Sequence, residues 1–170
     1  MNMGLLIVRL AVGLTLAAHG GQKLFGWFGG GGISGTAPMM EHLGFRPGRL
    51  QALLAGLSEF GGGLFLAVGL LTPAAAAVSV GVMLVAGVSA HGKNGFFLAN
   101  GGFEYAAILG SAAAGVAFTG AGAFSADHAL GLAWSDMSAL VCVAVGIAAG
   151  VVQLWLRRPA VQVSAAGQPA

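Results

Sequence analysis

Five long apolar runs, separated by short breaks rich in glycine, proline and charge, set the pattern of this chain. A bilayer crossing takes about 20 mostly apolar residues. Residues 3–25, 50–71, 74–90, 103–118 and 138–156 are each predicted to supply one. The third and fourth runs are a little short, so their ends are expected to tilt or to lean on interfacial residues. Leu70-Leu71-Thr72-Pro73 reads as a minimal turn, with Pro73 suited to open the third helix. The longest non-spanning stretch is 27–49. Its Gly30-Gly31-Gly32-Ile33-Ser34-Gly35 matches GxGxxG by letter, but it follows an apolar span rather than a strand, so a loop hugging the membrane is the better reading. Residues 36–44 suggest a short interfacial helix capped by Thr36 and ended by Gly44, with Glu41 and His42 solvated.

The polar exceptions inside the apolar runs carry the candidate chemistry. The first run holds Arg9, His19 and Lys23. His19 and Lys23 lie four apart and share a face. Arg9 falls within about 40° of Lys23 on a 3.6-residue helix, which makes one polar stripe. Gly13, Ala17, Gly20 and Gly21 beside it allow close helix contact. Glu59 stands near the middle of the second run, where a lone carboxyl costs roughly 2.5–3.5 kcal/mol to insert. It must be protonated, paired or wetted. Residues 91–105, from His91 to Glu104 and Tyr105, form a glycine-punctuated polar and aromatic island between the third and fourth runs. Counted at about 1.5 Å per residue, His19, Lys23, Glu59, His91, Glu104 and Tyr105 fall in one leaflet, and a shared polar pocket is expected there. Arg9 lies in the other leaflet, below or behind it. Charge-pair glue between Glu59 and Lys23 or Arg9 is the structural alternative.

Composition sharpens the class. The chain is 57% hydrophobic and only 7% charged, too few polar side chains to coat a water-facing surface. It reads as an integral membrane protein, an all-α transmembrane helical bundle. The net charge of +2 does not indicate nucleic-acid binding, because six of the seven basic residues flank spans. Lys23, Arg46, Arg49, Lys93, Arg157 and Arg158 all fall on one side, opposite Asp127 and Asp136. The positive-inside rule then predicts an outside N-terminus and a cytoplasmic C-terminus in the cell membrane. The first run continues too far for a signal peptide and is read as the first helix. The single cysteine, Cys142, excludes an internal disulfide and a thiolate metal site. Asp127, His128 and Asp136 have irregular spacing for a metal cluster and are expected to be solvated loop charges. No metal site is expected.

Arg9-Leu10, Gly13, His19-Gly20 and Lys23-Leu24-Phe25-Gly26 together resemble the first helix of DoxX-family membrane proteins. The resemblance continues through Glu59-Phe60-Gly61-Gly62, Gly69-Leu70-Leu71-Thr72, Gly95-Phe96-Phe97, Gly101-Gly102-Phe103-Glu104-Tyr105 and Gly120 to Asp127. It implies a DoxX-like four-helix core over 1–127. Residues 128–158 then add a loop and a fifth C-terminal transmembrane helix, and 159–170 form a disordered tail. Functionally it implies a membrane subunit of a redox-associated complex, since members resemble a subunit of a thiosulfate:quinone oxidoreductase. The pocket would take a quinone or small acid, with His and Lys hydrogen-bonding it and Glu59 or Glu104 relaying protons. Catalytic residues are not assigned, and no bound cofactor is evident. A haem between His19 and His91 is disfavoured by their unequal depth. Electrons would come from a soluble or membrane oxidoreductase partner; the other expected contacts are the lipid bilayer and a second copy of the chain. The alternative is a non-enzymatic membrane scaffold or small-solute carrier.

Overall fold

The computed structural model describes residues 2–158, so the tail expectation for 159–170 lies outside the described residues. Every regular element among them is helical: α1 (Asn2–Phe25), α2 (Gly32–His42), α3 (Gly48–Val68), α4 (Thr72–Ala86), α5 (Glu104–Thr119), α6 (Ala126–Ala129) and α7 (Asp136–Trp155). An all-α bundle is therefore the fold. α4 runs on through a π-turn at Gly87–His91 and a 3-10 turn at Gly92–Asn94. Four helical stretches, Asn2–Phe25, Gly48–Val68, Thr72–Asn94 and Asp136–Trp155, are long and apolar enough to cross a membrane. α5 has 16 residues, about 24 Å, and falls short of a hydrocarbon core of about 30 Å.

Glycine sets the spacing of the bundle. α1 buries Arg9, Val12, Gly13, Leu16, Ala17, Gly20 and Gly21, a stripe that repeats at helical period. That stripe meets Gly56, Phe60, Gly63 and Ala67 of α3. A Cβ built on Gly13 would lie 2.5 Å from the Gly63 carbonyl oxygen, and one on Gly63 would lie 2.5 Å from that of Gly13. The two backbones therefore touch, and no larger residue fits at the crossing. α4 and α7 repeat the device: a Cβ on Gly81 would lie 2.7 Å from the Gly146 carbonyl oxygen, and one on Gly150 would lie 3.0 Å from that of Gly81. Around these contacts Val12, Leu16, Leu66, Ala76, Met83, Leu109, Ala113, Val116 and Val143 form the main apolar core.

The interhelical contacts define two ends. At one, Asn2 Oδ1 accepts the Ala123 amide at 3.1 Å, and the Asp127 amide donates to Gly69 O at 2.8 Å. At the other, the Arg158 amide donates to Gly44 O at 2.8 Å, and Gln153 Nε2 donates to Gln51 Oε1 at 2.5 Å. The first is the end of Asp127 and Asp136; the second is the basic end. α2 lies across the basic end and buries Ala37 and Met40 together with Phe45 and Ala52. It begins four residues earlier than the sequence suggests, inside the glycine run. Pro38 stands in the second turn of α2, where it removes the one intrahelical bond that its amide would have given to the Ser34 carbonyl.

Candidate functional site

The sequence-predicted polar residues separate into four contacts at the basic end and the Arg9 cluster at the opposite end. The strongest is an ion pair from Lys23 Nζ on α1 to Glu59 Oε2 on α3. Glu59 is 3% exposed, while the Lys23 side chain is 20% exposed. The α1–α3 crossing brings them together, with Gly20 set against the Phe60 backbone and Gly56 against Leu24 on either side. A buried carboxylate is tolerable in an apolar bundle only with such a partner.

One turn before Lys23, half-buried His19 meets α5. Its ring lies 5.8 Å from that of Tyr105 in an edge-on arrangement, and Tyr105 Oη stands 3.5 Å from His19 Nε2. Tyr105 is exposed on the flank of the bundle. His19 and Tyr105 thus stand at an exposed flank of the bundle, and the Lys23–Glu59 pair follows one helical turn further along α1. The rest of the island folds on itself. His91 Nδ1 pairs with Gly101 O at 2.9 Å, and Glu104 Oε2 accepts the Leu98 amide at 2.8 Å. These two residues order the α4–α5 connection, and among the described residues neither forms a hydrogen bond or ion pair with Lys23 or Glu59.

Arg9, 1% exposed, sits at the opposite end. Its guanidinium donates to the carbonyls of Ala121, Phe124 (2.6 Å) and Ala67, the last at 3.4 Å from both Nε and Nη2. Ala67 lies in the last turn of α3, where carbonyls lack intrahelical donors and favour a cation. Gly69 (φ +68°) closes that helix, and a Cβ there would lie 2.8 Å from Arg9 Cζ.

Asp127 corrects the sequence reading. It was expected to be a solvated loop charge; it is 2% exposed. Its carboxylate accepts the amides of Leu71 (2.7 Å) and Thr72 (2.9 Å) and the Trp134 indole N–H (3.0 Å). It therefore caps α4 from 55 residues away and holds Leu71 in its left-handed conformation (φ +48°). Burial pushes the Asp127 carboxyl up, but hydrogen bonds from Thr72, Leu71 and Trp134 outweigh it and leave the pKa below the ordinary value. The Thr72 hydroxyl finds no partner of good hydrogen-bond geometry, yet it stands near enough to the carboxylate to favour its charge. Arg9 adds a coulombic attraction without direct contact. No local pattern signals this role, because the helix end that Asp127 caps is distant in sequence.

Two cavities border other residues. One, of about 800 Å³ at the basic end, is lined by residues that include Arg46, Gln51, Gln153 and Arg158. The other, of about 410 Å³, lies beside Asp127 and Trp134. None of the seven sequence-predicted site residues lines either.

Comparison with known proteins gives one match: the family model described as DoxX aligns with residues 4–92, just over half of the chain, from the first turn of α1 past the end of α4. No curated protein and no solved structure matches the chain.

Proposed function

This chain belongs to the DoxX family, and on that premise we propose that it is the multi-pass membrane subunit of a redox-associated complex, meeting a quinone or small acid at the His19–Tyr105 edge. The observation that carries the reading is the exposed Tyr105–His19 contact with the Lys23–Glu59 pair one helical turn further along α1. A quinone dissolved in the bilayer reaches Tyr105 from the lipid side without entering an aqueous channel. Tyr105 Oη and His19 Nε2 are the groups placed to hydrogen-bond its carbonyl oxygen. Reduction to the quinol takes two electrons and two protons. A partner oxidoreductase supplies the electrons, and the ionisable groups behind His19 carry protons between the basic end and the quinone. The six basic residues at that end orient it toward the cytoplasm of the cell.

The glycine contacts flanking the ion pair favour a second reading, a scaffold in which Lys23–Glu59 only locks α1 to α3. Extraction separates the two. The protein is purified in mild detergent, and its organic extract and co-purifying proteins are identified by mass spectrometry. Enrichment of quinone with the wild type, lost in His19→Ala and Tyr105→Phe at unchanged yield, supports the first reading. Equal quinone content in all three preparations, with no co-purifying oxidoreductase, sinks it and leaves the scaffold.

A further inference from the structure

We propose that the cavity at the basic end is a binding site for the phosphate headgroup of an anionic membrane lipid, an assignment independent of the redox reading. Its walls come from the α2–α3 connection and the end of α7, which the Arg158 amide ties to Gly44 at 2.8 Å. Gly44 (φ +90°) makes that docking feasible, because a Cβ there would lie 2.5 Å from the Arg158 carbonyl oxygen.

The lining has the polarity of an amphiphile's head. Arg46 and Arg158 bring two permanent positive charges, and among the described residues neither guanidinium has a carboxylate within salt-bridge distance. Arginine forks match phosphate oxygens in bidentate geometry. The Gln153 amide donates to Gln51 Oε1, leaving the Gln51 side-chain nitrogen as a further donor. Pro47 starts α3 at the same wall, so the positive end of that helix dipole adds to the field. Glu41, the acidic residue on the rim, already accepts the Gly48 amide at 3.2 Å and so spends part of its charge on the same helix start.

Depth and flank decide for a lipid over a soluble anion. The cavity sits where a spanning helix ends, at headgroup level, and Leu156 lines it while standing 60% exposed beside Trp155. A phosphodiester fits against the arginines while its glycerol and acyl chains run down the apolar side of α7. Basic pockets between transmembrane helices recognise anionic headgroups in this way.

The test is native mass spectrometry of delipidated protein in detergent, titrated with phosphatidylglycerol, phosphatidylcholine or inorganic phosphate. Phosphatidylglycerol should be retained about tenfold more tightly than phosphatidylcholine, and Arg46→Gln with Arg158→Gln should abolish that preference. Arg49→Gln with Lys93→Gln removes the same charge from the same end outside the cavity lining and should leave it unchanged. Equal loss in both double variants would show diffuse surface charge and overturn the site. No preference between the lipids overturns it as well. Inorganic phosphate displacing phosphatidylglycerol completely at equal concentration would assign the cavity to a free anion instead. All the altered arginines and lysine are exposed, so the variants should keep their fold, and thermal unfolding in parallel checks that they do.

Discussion

Asp127 and Glu59 are both buried carboxylates, and their partners make them behave differently. Asp127 satisfies three N–H donors that would otherwise be orphaned in an apolar setting. Asp127→Ala should therefore cost about 3 kcal/mol or more, read as thermal unfolding in detergent. Its folded pKa lies below the unfolded one, so the stabilisation is full above the ordinary carboxylate value near pH 4 and is lost as pH falls through the lower folded value. The stability gap between wild type and Asp127→Asn should narrow on acidification, and a gap that stays constant from pH 6 down to about 3 would contradict the cap. Glu59 depends on one cation instead. Lys23→Met strands its carboxylate and should cost about 3 kcal/mol, whereas Lys23→Met with Glu59→Leu should recover most of that loss. A double variant as unstable as the single one would mean that the pair contributes geometry rather than charge.

At the level of the helices, glycine acts by permitting contact. Gly13 and Gly63 sit backbone to backbone, and a methyl group on either would overlap the facing carbonyl at 2.5 Å. Gly13→Ala and Gly63→Ala should each force α1 and α3 apart and lower stability by about 2 kcal/mol. Gly61 and Gly115 lie in helices with nothing within 4 Å of an added Cβ. Alanine there should raise stability by up to about 1 kcal/mol through helix propensity alone. The contrast is measured by thermal unfolding of the four single variants. Gly13→Ala and Gly63→Ala as stable as Gly61→Ala and Gly115→Ala would show that the crossing is looser than the α1–α3 contact implies. The same separation shifts the Lys23–Glu59 pair, so Gly13→Ala should also weaken its coupling in a double-mutant cycle.

For the whole molecule, the two ends differ in charge and in what closes them. One is held by Arg9, Asp127 and Asn2, which tie the 120–127 loop onto α1 and the α3–α4 turn. The other carries α2, the basic residues and the open cavity. With Cys142 replaced by Ala, cysteines at Lys93 and Arg46 should react with an impermeant maleimide from one side of the membrane and a cysteine at Ser135 from the other. On the orientation proposed from the charge asymmetry, Ser135 is the position expected to label from outside. Labelling of all three from one side of sealed vesicles would contradict the topology.

Hydropathy and composition alone determined the membrane class, the helical fold and the positions of the long helices to within a few residues, because in hydrocarbon a chain must satisfy its backbone internally and helices do so locally. They also picked out the polar residues worth following, since each breaks an otherwise apolar run at a cost. The shared end was legible for the same reason: rise per residue is fixed, so Lys23 and Glu59 could be assigned to the same half of the bundle by counting. Partners were not. That Lys23 reaches Glu59 while His91 and Glu104 turn back onto their own loop depends on how helices rotate about one another, and glycine contacts between distant segments set that rotation. The role of Asp127 is the clearest instance. Its neighbours in sequence are those of a solvated loop, and only the return of that loop to the start of α4, 55 residues earlier in the chain, removes it from water and gives its charge something to hold.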